Sequence, residues 1–124
     1  MRIFNSSNGD PMLLDSAHGL RDFQLAFGAF LASTATTISF LATTDGSSNP
    51  YDEFLNGLRV SKGEAKRLEL SADRWLELSG SSQDLQTFQK LLAPDDGDHR
   101  HWYCTPVSLI IEADDSFDGP DGSQ

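Results

Sequence analysis

The chain has 124 residues, 38% of them hydrophobic, which is enough for one domain with a sizeable core. Its 19 acidic and 9 basic residues give a formal net charge of −10. Because phosphate groups are bound by clustered Lys and Arg, this charge argues against direct binding of nucleic acid or of an anionic membrane. We therefore expect any macromolecular partner to be a basic protein.

Cysteine content and hydropathy favour a cytoplasmic protein. Cys104 is the single cysteine, so no disulfide can form within the chain, as is usual in a reducing compartment. The N-terminal MRIFNSSNGD lacks the apolar core of a signal peptide. The longest apolar stretch, FQLAFGAFLA, is too short to span a bilayer. We expect a cytoplasmic location and no membrane contact.

The first 63 residues predict two strands, a helix and two more strands. RIFN and PMLLD flank a turn whose Asn8-Gly9 pair is typical of a hairpin. TTISFLATT is a strand by β-propensity, and FLNGLRVSKG is a strand broken or bulged at Gly57. Between the hairpin and these two strands, apolar side chains at helical spacing mark one buried helix face: Leu20, Phe23, Phe27, Phe30 and Leu31.

The second half predicts the same order of elements. KRLEL and WLELSG alternate apolar and polar residues, as half-buried strands do. Ser81 and Asp84 form a capping signature for a helix that Pro94 ends. HWYCTPVSLIIEAD supplies two strands separated at Pro106. The buried helix face is expected to hold four residues: Leu85, Phe88, Leu91 and Leu92.

The two halves also resemble each other in sequence. Residues 13–24 and 78–89, aligned with a shift of 65, share five identities in twelve positions. We therefore predict a single α+β domain over 1–113, with one antiparallel sheet and two helices packed on one face. It would be built from two similar β-β-α-β-β halves, about 1–63 and 64–113. The acidic residues 114–124 have little to bury and are expected to form a disordered tail.

Residues 94–104, PDDGDHRHWYC, are the best candidate for a functional site. On a strand His99, His101 and Tyr103 share one face, while Trp102 and Cys104 point into the core. Two histidines fall short of the three or four ligands that a transition metal needs, so we expect no metal and no cofactor. The sequence has no recognisable nucleophile–base pair, phosphate loop or serine elbow, so we expect no enzymatic activity. A small metal-binding module or enzyme using His99 and His101 is the alternative.

Acidic residues concentrate in the last quarter of the chain. From Pro94 onward there are eight acids and one arginine, which together carry seven of the ten net negative charges. Acids beside exposed rings are typical of a docking surface for a basic protein. The predicted partner-binding residues are Asp95, Asp96, Asp98, His99, His101 and Tyr103.

Residues 66–113 carry a family resemblance. LELSG, a helix beginning DLQTFQKLL, then GDHRHWY and SLIIEAD together resemble small immunity proteins of bacterial polymorphic toxin systems. Gly97, His99 and His101 match a G-x-H-x-H strand in that group. The resemblance implies a protein without catalytic activity that binds one cognate toxin, often a basic nuclease, and blocks its active site. A second alternative is an acidic DNA mimic that inhibits a nucleic-acid-binding protein. The oligomeric state is left open.

Overall fold

The computed structural model describes residues 1–6, 9–44, 46, 51, 53–63, 65–93, 97–105 and 107–115. Within these residues the chain forms nine strands and two helices, and the predicted α+β class is confirmed. The elements in chain order are β1 (Arg2–Asn5), β2 (Met12–Asp15), α1 (Ala17–Ala32), β3 (Thr37–Leu41), β4 (Glu53–Phe54), β5 (Gly57–Lys62), β6 (Arg67–Leu70), β7 (Trp75–Gly80), α2 (Ser82–Leu91), β8 (His99–Cys104) and β9 (Val107–Ala113). Neither helix of the described ranges is both long and apolar enough to cross a membrane.

The strands form two sheets, so the prediction of one antiparallel sheet is wrong. A five-stranded sheet has the order β4-β1-β2-β9-β8, and a four-stranded sheet has the order β3-β5-β7-β6. Each sheet contains one parallel pair, β2 with β9 and β5 with β7. A period-two pattern identifies a strand and its buried face, but it carries no information on which strand becomes the neighbour.

The chain passes from one sheet to the other between β4 and β5, where the sequence predicted a break. Gly57 begins β5 directly after this crossing. A Cβ at Gly57 would collide with the carbonyl of Phe40 and with the ring of Trp75. Glycine is therefore required here because two neighbouring strands approach the backbone closely.

The two sheets have matched strand orders once the two-residue β4 is set aside. One reads β1-β2-β9-β8 and the other reads β6-β7-β5-β3. In each, the hairpin of one half pairs in parallel with the last strand of the other half. Both halves therefore contribute strands to both sheets. That the two halves arose by duplication stays a prediction.

A serine caps each helix, and for α2 it is the serine that the sequence predicts. Ser16 caps α1 by accepting a hydrogen bond from the Gly19 N–H. Ser81 and Asp84 form the predicted capping box of α2. The helix ends at Leu91, and the proposed stop at Pro94 lies outside the described residues.

One hydrophobic core joins the helices to the inner faces of both sheets. The expected face of α1 is buried, except that Leu31 is partly exposed; on α2, Leu91 is likewise partly exposed. The Phe88 ring contacts the rings of Phe23, Phe27 and Trp102. α2 contacts β7 of one sheet and β8 of the other. The prediction that both helices cover one face of a single sheet is therefore wrong, because the helices pack between two sheets.

The first residues of the predicted tail are bonded to the domain. The Asp114 N–H donates to the carbonyl of Asp15 at 3.0 Å. The Asp115 carboxylate accepts from the Ala17 N–H at 2.8 Å, at the start of α1. Residues 116–124, the rest of the predicted tail, lie outside the described residues.

Candidate partner-binding face

Strand β8 places three of the six predicted site residues side by side. His99, His101 and Tyr103 point away from the core, while Trp102 between them is buried. The rings of His101 and Tyr103 are stacked, with centroids 5.6 Å apart and planes 11° from parallel. The His99 ring lies edge-on to that of His101 at 5.4 Å. We call these three side chains the ring strip.

A glycine turn fixes the start of β8 against the end of β9. Gly97 has φ +83°, a left-handed conformation that glycine adopts without strain. Its N–H donates to the Ala113 carbonyl at 2.8 Å, and the Ala113 N–H donates to the Asp98 carbonyl at 3.1 Å. Asp98 is therefore held, exposed, directly beside the ring strip. Asp95 and Asp96, the other two predicted site residues, lie outside the described residues.

Two polar residues from elsewhere in the chain hold His101 in place. Ser108 on β9 is 4% exposed, and its Cα partner across the strands is Tyr103. The Ser108 hydroxyl donates to Oδ2 of Asp10 at 3.0 Å, and its oxygen lies 3.3 Å from Nδ1 of His101. Since that hydroxyl proton is directed to Asp10, the hydrogen-bond pattern assigns the Nδ1–H tautomer to a neutral His101. Nε2 is then a free acceptor on the ring.

An apolar row crosses the whole five-stranded sheet on the side away from the core. Phe54 is opposite Phe4, Phe4 is opposite Met12, and Met12 is opposite Ile110. Ile110 is in turn opposite His101, so the row ends at the ring strip. Neither helix covers this side, because the helices pack in the core. We call this surface of the five-stranded sheet the outer face.

A second cross-strand row on the outer face is mixed in polarity. Leu14 lies between Arg2 and Glu112, and Glu112 is opposite His99. Tyr51 covers the β1 side, where its ring stacks on Phe4. Burial, and to a lesser degree the negative charge of Glu112, raise the pKa of Tyr51 above its ordinary value. Glu112 therefore places a negative charge between the ring strip and the tyrosine.

The four-stranded sheet presents a different outward surface. Arg59 forms ion pairs with Asp73 at 2.8 Å and with Glu77 at 2.9 Å, and its guanidinium stacks on the Trp75 ring. The hydrogen bond from Arg59, with one from the Ser71 hydroxyl, holds the pKa of Asp73 below its ordinary value. The polar groups of this surface thus pair with one another, as on an ordinary solvated face.

The geometry of the described residues bears on the metal-binding alternative and on Cys104. The described ranges contain no group of three or more His, Cys, Asp or Glu side chains placed to hold a metal ion. Cys104 is partly buried at the margin of the core, and its thiol donates to the Lys66 carbonyl at 3.5 Å. Because Cys104 and the ring strip point to opposite sides of β8, the thiol and the histidines do not form a nucleophile–base pair.

Sequence reasoning missed several members of this surface. Asp10 and Ser108 are 98 positions apart, and no local pattern relates them. The sequence places Met12 and Ile110 on strands but predicts no role in binding for either. The alternation of residues in VSLIIEA does place Ser108 and Ile110 on the same side of β9, so this part of the surface could have been predicted from the sequence.

Comparison of this chain with models of protein families, with curated proteins and with solved structures found no match.

Proposed function

We propose that this chain is an immunity protein that binds a cognate bacterial toxin in the cytoplasm and neutralises it by stoichiometric inhibition. The toxin would be a basic effector domain such as a nuclease, with the outer face of the five-stranded sheet as the binding surface. The observation that carries the proposal is the ring strip with its exposed Tyr103, which lies at the end of an apolar row from Phe54 to Ile110 on a molecule of net charge −10. Within that row Phe4 is buried under Tyr51, while Phe54, Met12 and Ile110 are half-buried.

The composition of the outer face supports a protein partner. Interfaces are enriched in aromatic and methionine side chains and contain fewer charges at their centre than at their rim. Here the half-buried Met12 and Ile110 lie in the centre, and Tyr103 at one edge is 66% exposed. Five strands at a spacing of about 4.8 Å give a surface roughly 20 Å across. A patch of this breadth suits a folded protein domain better than a small molecule.

Charge supports a basic partner. Asp10 lies at the ring-strip end of the outer face, Glu112 lies within it, and the exposed Asp98 directly precedes His99. The whole chain adds a net charge of −10, which would attract a positively charged domain from a distance. A toxin that acts on nucleic acid carries such a domain, because its substrate is a polyanion.

Co-expression provides the test. A candidate toxin domain, sought among the genes that neighbour the gene for this chain, would be expressed in bacteria with the wild-type chain or with a variant, and growth would be measured. Wild type should restore growth and form a 1:1 complex. Met12→Glu with Ile110→Glu, which places two charges on paired positions of β2 and β9, should abolish both effects.

The matched control makes the same change on the other sheet. Ser61 and Ser79 are paired across β5 and β7, the parallel pair of the four-stranded sheet, so Ser61→Glu with Ser79→Glu should still protect. Tyr103→Ala, at an exposed position, should weaken the complex without affecting folding and separates lost binding from unfolding. Protection that is equal in all variants, or absent for wild type, would contradict the proposal.

A further inference from the structure

We infer that the corner of the outer face formed by Asp10, Ser108, His101 and Tyr103 is a binding site for one arginine side chain of the basic partner. This inference rests on the proposed function and makes it more specific, since it names the chemical group that the ring strip recognises. A guanidinium group is planar, keeps its charge, stacks on aromatic rings and bonds carboxylates with two N–H groups.

The corner offers a hydrogen-bond acceptor that the fold leaves available. Oδ2 of Asp10 accepts the Ser108 hydroxyl, while Oδ1 accepts no hydrogen bond from any described residue. Within the described ranges Asp10 also forms no ion pair, so no described cation competes for it.

The same corner offers a ring on which a planar cation can stack. His101 lies against one side of the Tyr103 ring, with the two planes 11° from parallel. Because Tyr103 is nevertheless 66% exposed, most of its remaining surface is open to a partner. Stacking on an aromatic ring favours a guanidinium over a compact, strongly hydrated ammonium group.

The carboxylate and the ring are held in position before any partner arrives. Ser108 is 4% exposed and bonds both Asp10 and His101, so it fixes one relative to the other. A prepositioned site loses less side-chain entropy on binding. Ser108 therefore acts as a positioning residue, Asp10 and Tyr103 would make the contacts, and His101 supports the Tyr103 ring from its other face.

The test uses two small cations on the intact protein, ethylguanidinium and ethylammonium, at equal ionic strength and below denaturing concentrations. NMR signals of the Tyr103 and His101 rings report binding. Ethylguanidinium should shift both signals and saturate, with an affinity about threefold or more above that of ethylammonium. Asp10→Asn and Tyr103→Leu should each remove the preference. Glu69→Gln, a change at an exposed carboxylate on the other sheet, should leave it intact.

A structural effect of Ser108 can be separated from its positioning effect. Ser108→Ala should weaken the guanidinium response and also shift the ¹⁵N signals of His101 away from the Nδ1–H pattern, which a purely structural loss of stability would not do. Equal responses to both cations, or no response to either, would overturn the inference. Either result leaves the proposed function standing, because that is tested by growth with the toxin. Conversely, a guanidinium preference without toxin binding would refute the function alone.

Discussion

Gln24 and Gln89 each donate a hydrogen bond to the other's backbone where α1 meets α2. The Gln24 side-chain amide donates to the backbone carbonyl of Gln89 at 3.0 Å, and the Gln89 side-chain amide donates to the backbone carbonyl of Gln24 at 3.5 Å. The two residues are 65 positions apart, the same shift that aligns 13–24 with 78–89. The preceding residues, Phe23 and Phe88, also contact each other, with ring centroids 6.5 Å apart. Equivalent positions of the two sequence halves thus meet at one place in the fold.

The reciprocal bonds predict two separate contributions to stability. Gln24→Ala should lower the free energy of unfolding by about 0.5–1.5 kcal/mol, the usual contribution of one such bond, and Gln89→Ala should lower it by less, since its bond is longer at 3.5 Å. The double variant should cost about the sum of the single changes, because each side chain donates to the other residue's backbone carbonyl, which alanine retains. Urea unfolding measures these values. Gln83→Ala, at an exposed site on α2, is the control. A loss in Gln24→Ala no larger than in Gln83→Ala would show that this bond does not stabilise the fold.

Phe88 is expected to be a major contributor to the stability of the core. It is fully buried and its ring contacts three other aromatic rings, so Phe88→Ala should lower the free energy of unfolding by about 3–5 kcal/mol. Leu25, on the same pair of helices but 73% exposed, is the control, and Leu25→Ala should change stability little. Chemical denaturation with both variants measures the difference. A loss for Phe88→Ala as small as that for Leu25→Ala would contradict the described core.

The Arg59–Asp73 pair predicts a pH effect. The pKa of Asp73 is lowered in the folded protein, chiefly by its hydrogen bond with Arg59. The stabilising contribution of Asp73 is therefore present above its unfolded pKa, about 4, and is lost as the pH falls through the lower folded value. Arg59→Met should raise the pKa of Asp73, as measured by ¹³C NMR titration. Arg67→Met, on β6 of the same sheet, should leave the pKa of Asp73 unchanged and is the control. An unchanged pKa in Arg59→Met would contradict the assignment.

The metal alternative is open to a direct measurement. Protein purified without an affinity tag should contain no stoichiometric zinc or nickel, because His99 and His101 have no third ligand among the described residues. Elemental analysis tests this expectation. One equivalent of metal that disappears in His101→Ala would instead favour the metal-binding function. His18→Ala, on the exposed side of α1, is the control for adventitious binding.

The acidic residues that precede β8 in the sequence predict a kinetic effect on toxin binding. Asp95→Lys, Asp96→Lys and Asp98→Lys together should slow association and reduce its dependence on salt, because charges near an interface act mainly by steering. The triple variant is expected to unfold at the same urea concentration as wild type, since charged residues outside a core add little to stability. Binding kinetics at several salt concentrations measure the effect. A triple variant that associates and protects as well as wild type would exclude these three residues from the interface.

Local patterns in the sequence predicted most elements and their buried faces. Alternation in WLELSG predicted the inward side chains Leu76 and Leu78, and Ser81 predicted the start of α2. The same alternation in HRHWYC set the ring strip on one side and Trp102 on the other. These features depend on residues within a few positions of one another, so propensity, spacing and capping are sufficient to predict them.

The chain's sequence by itself determined its acidic charge, its α+β class and the orientation of most side chains. Only the tertiary structure decided which strands are neighbours. Parallel pairing of β2 with β9 and of β5 with β7 produced two sheets instead of one, and it brought Met12 beside Ile110. The same pairing brought Asp10 to Ser108, 98 residues away, and so completed the corner around His101. Strand neighbours are chosen by burial across the entire chain, and a period-two pattern is equally compatible with many partners.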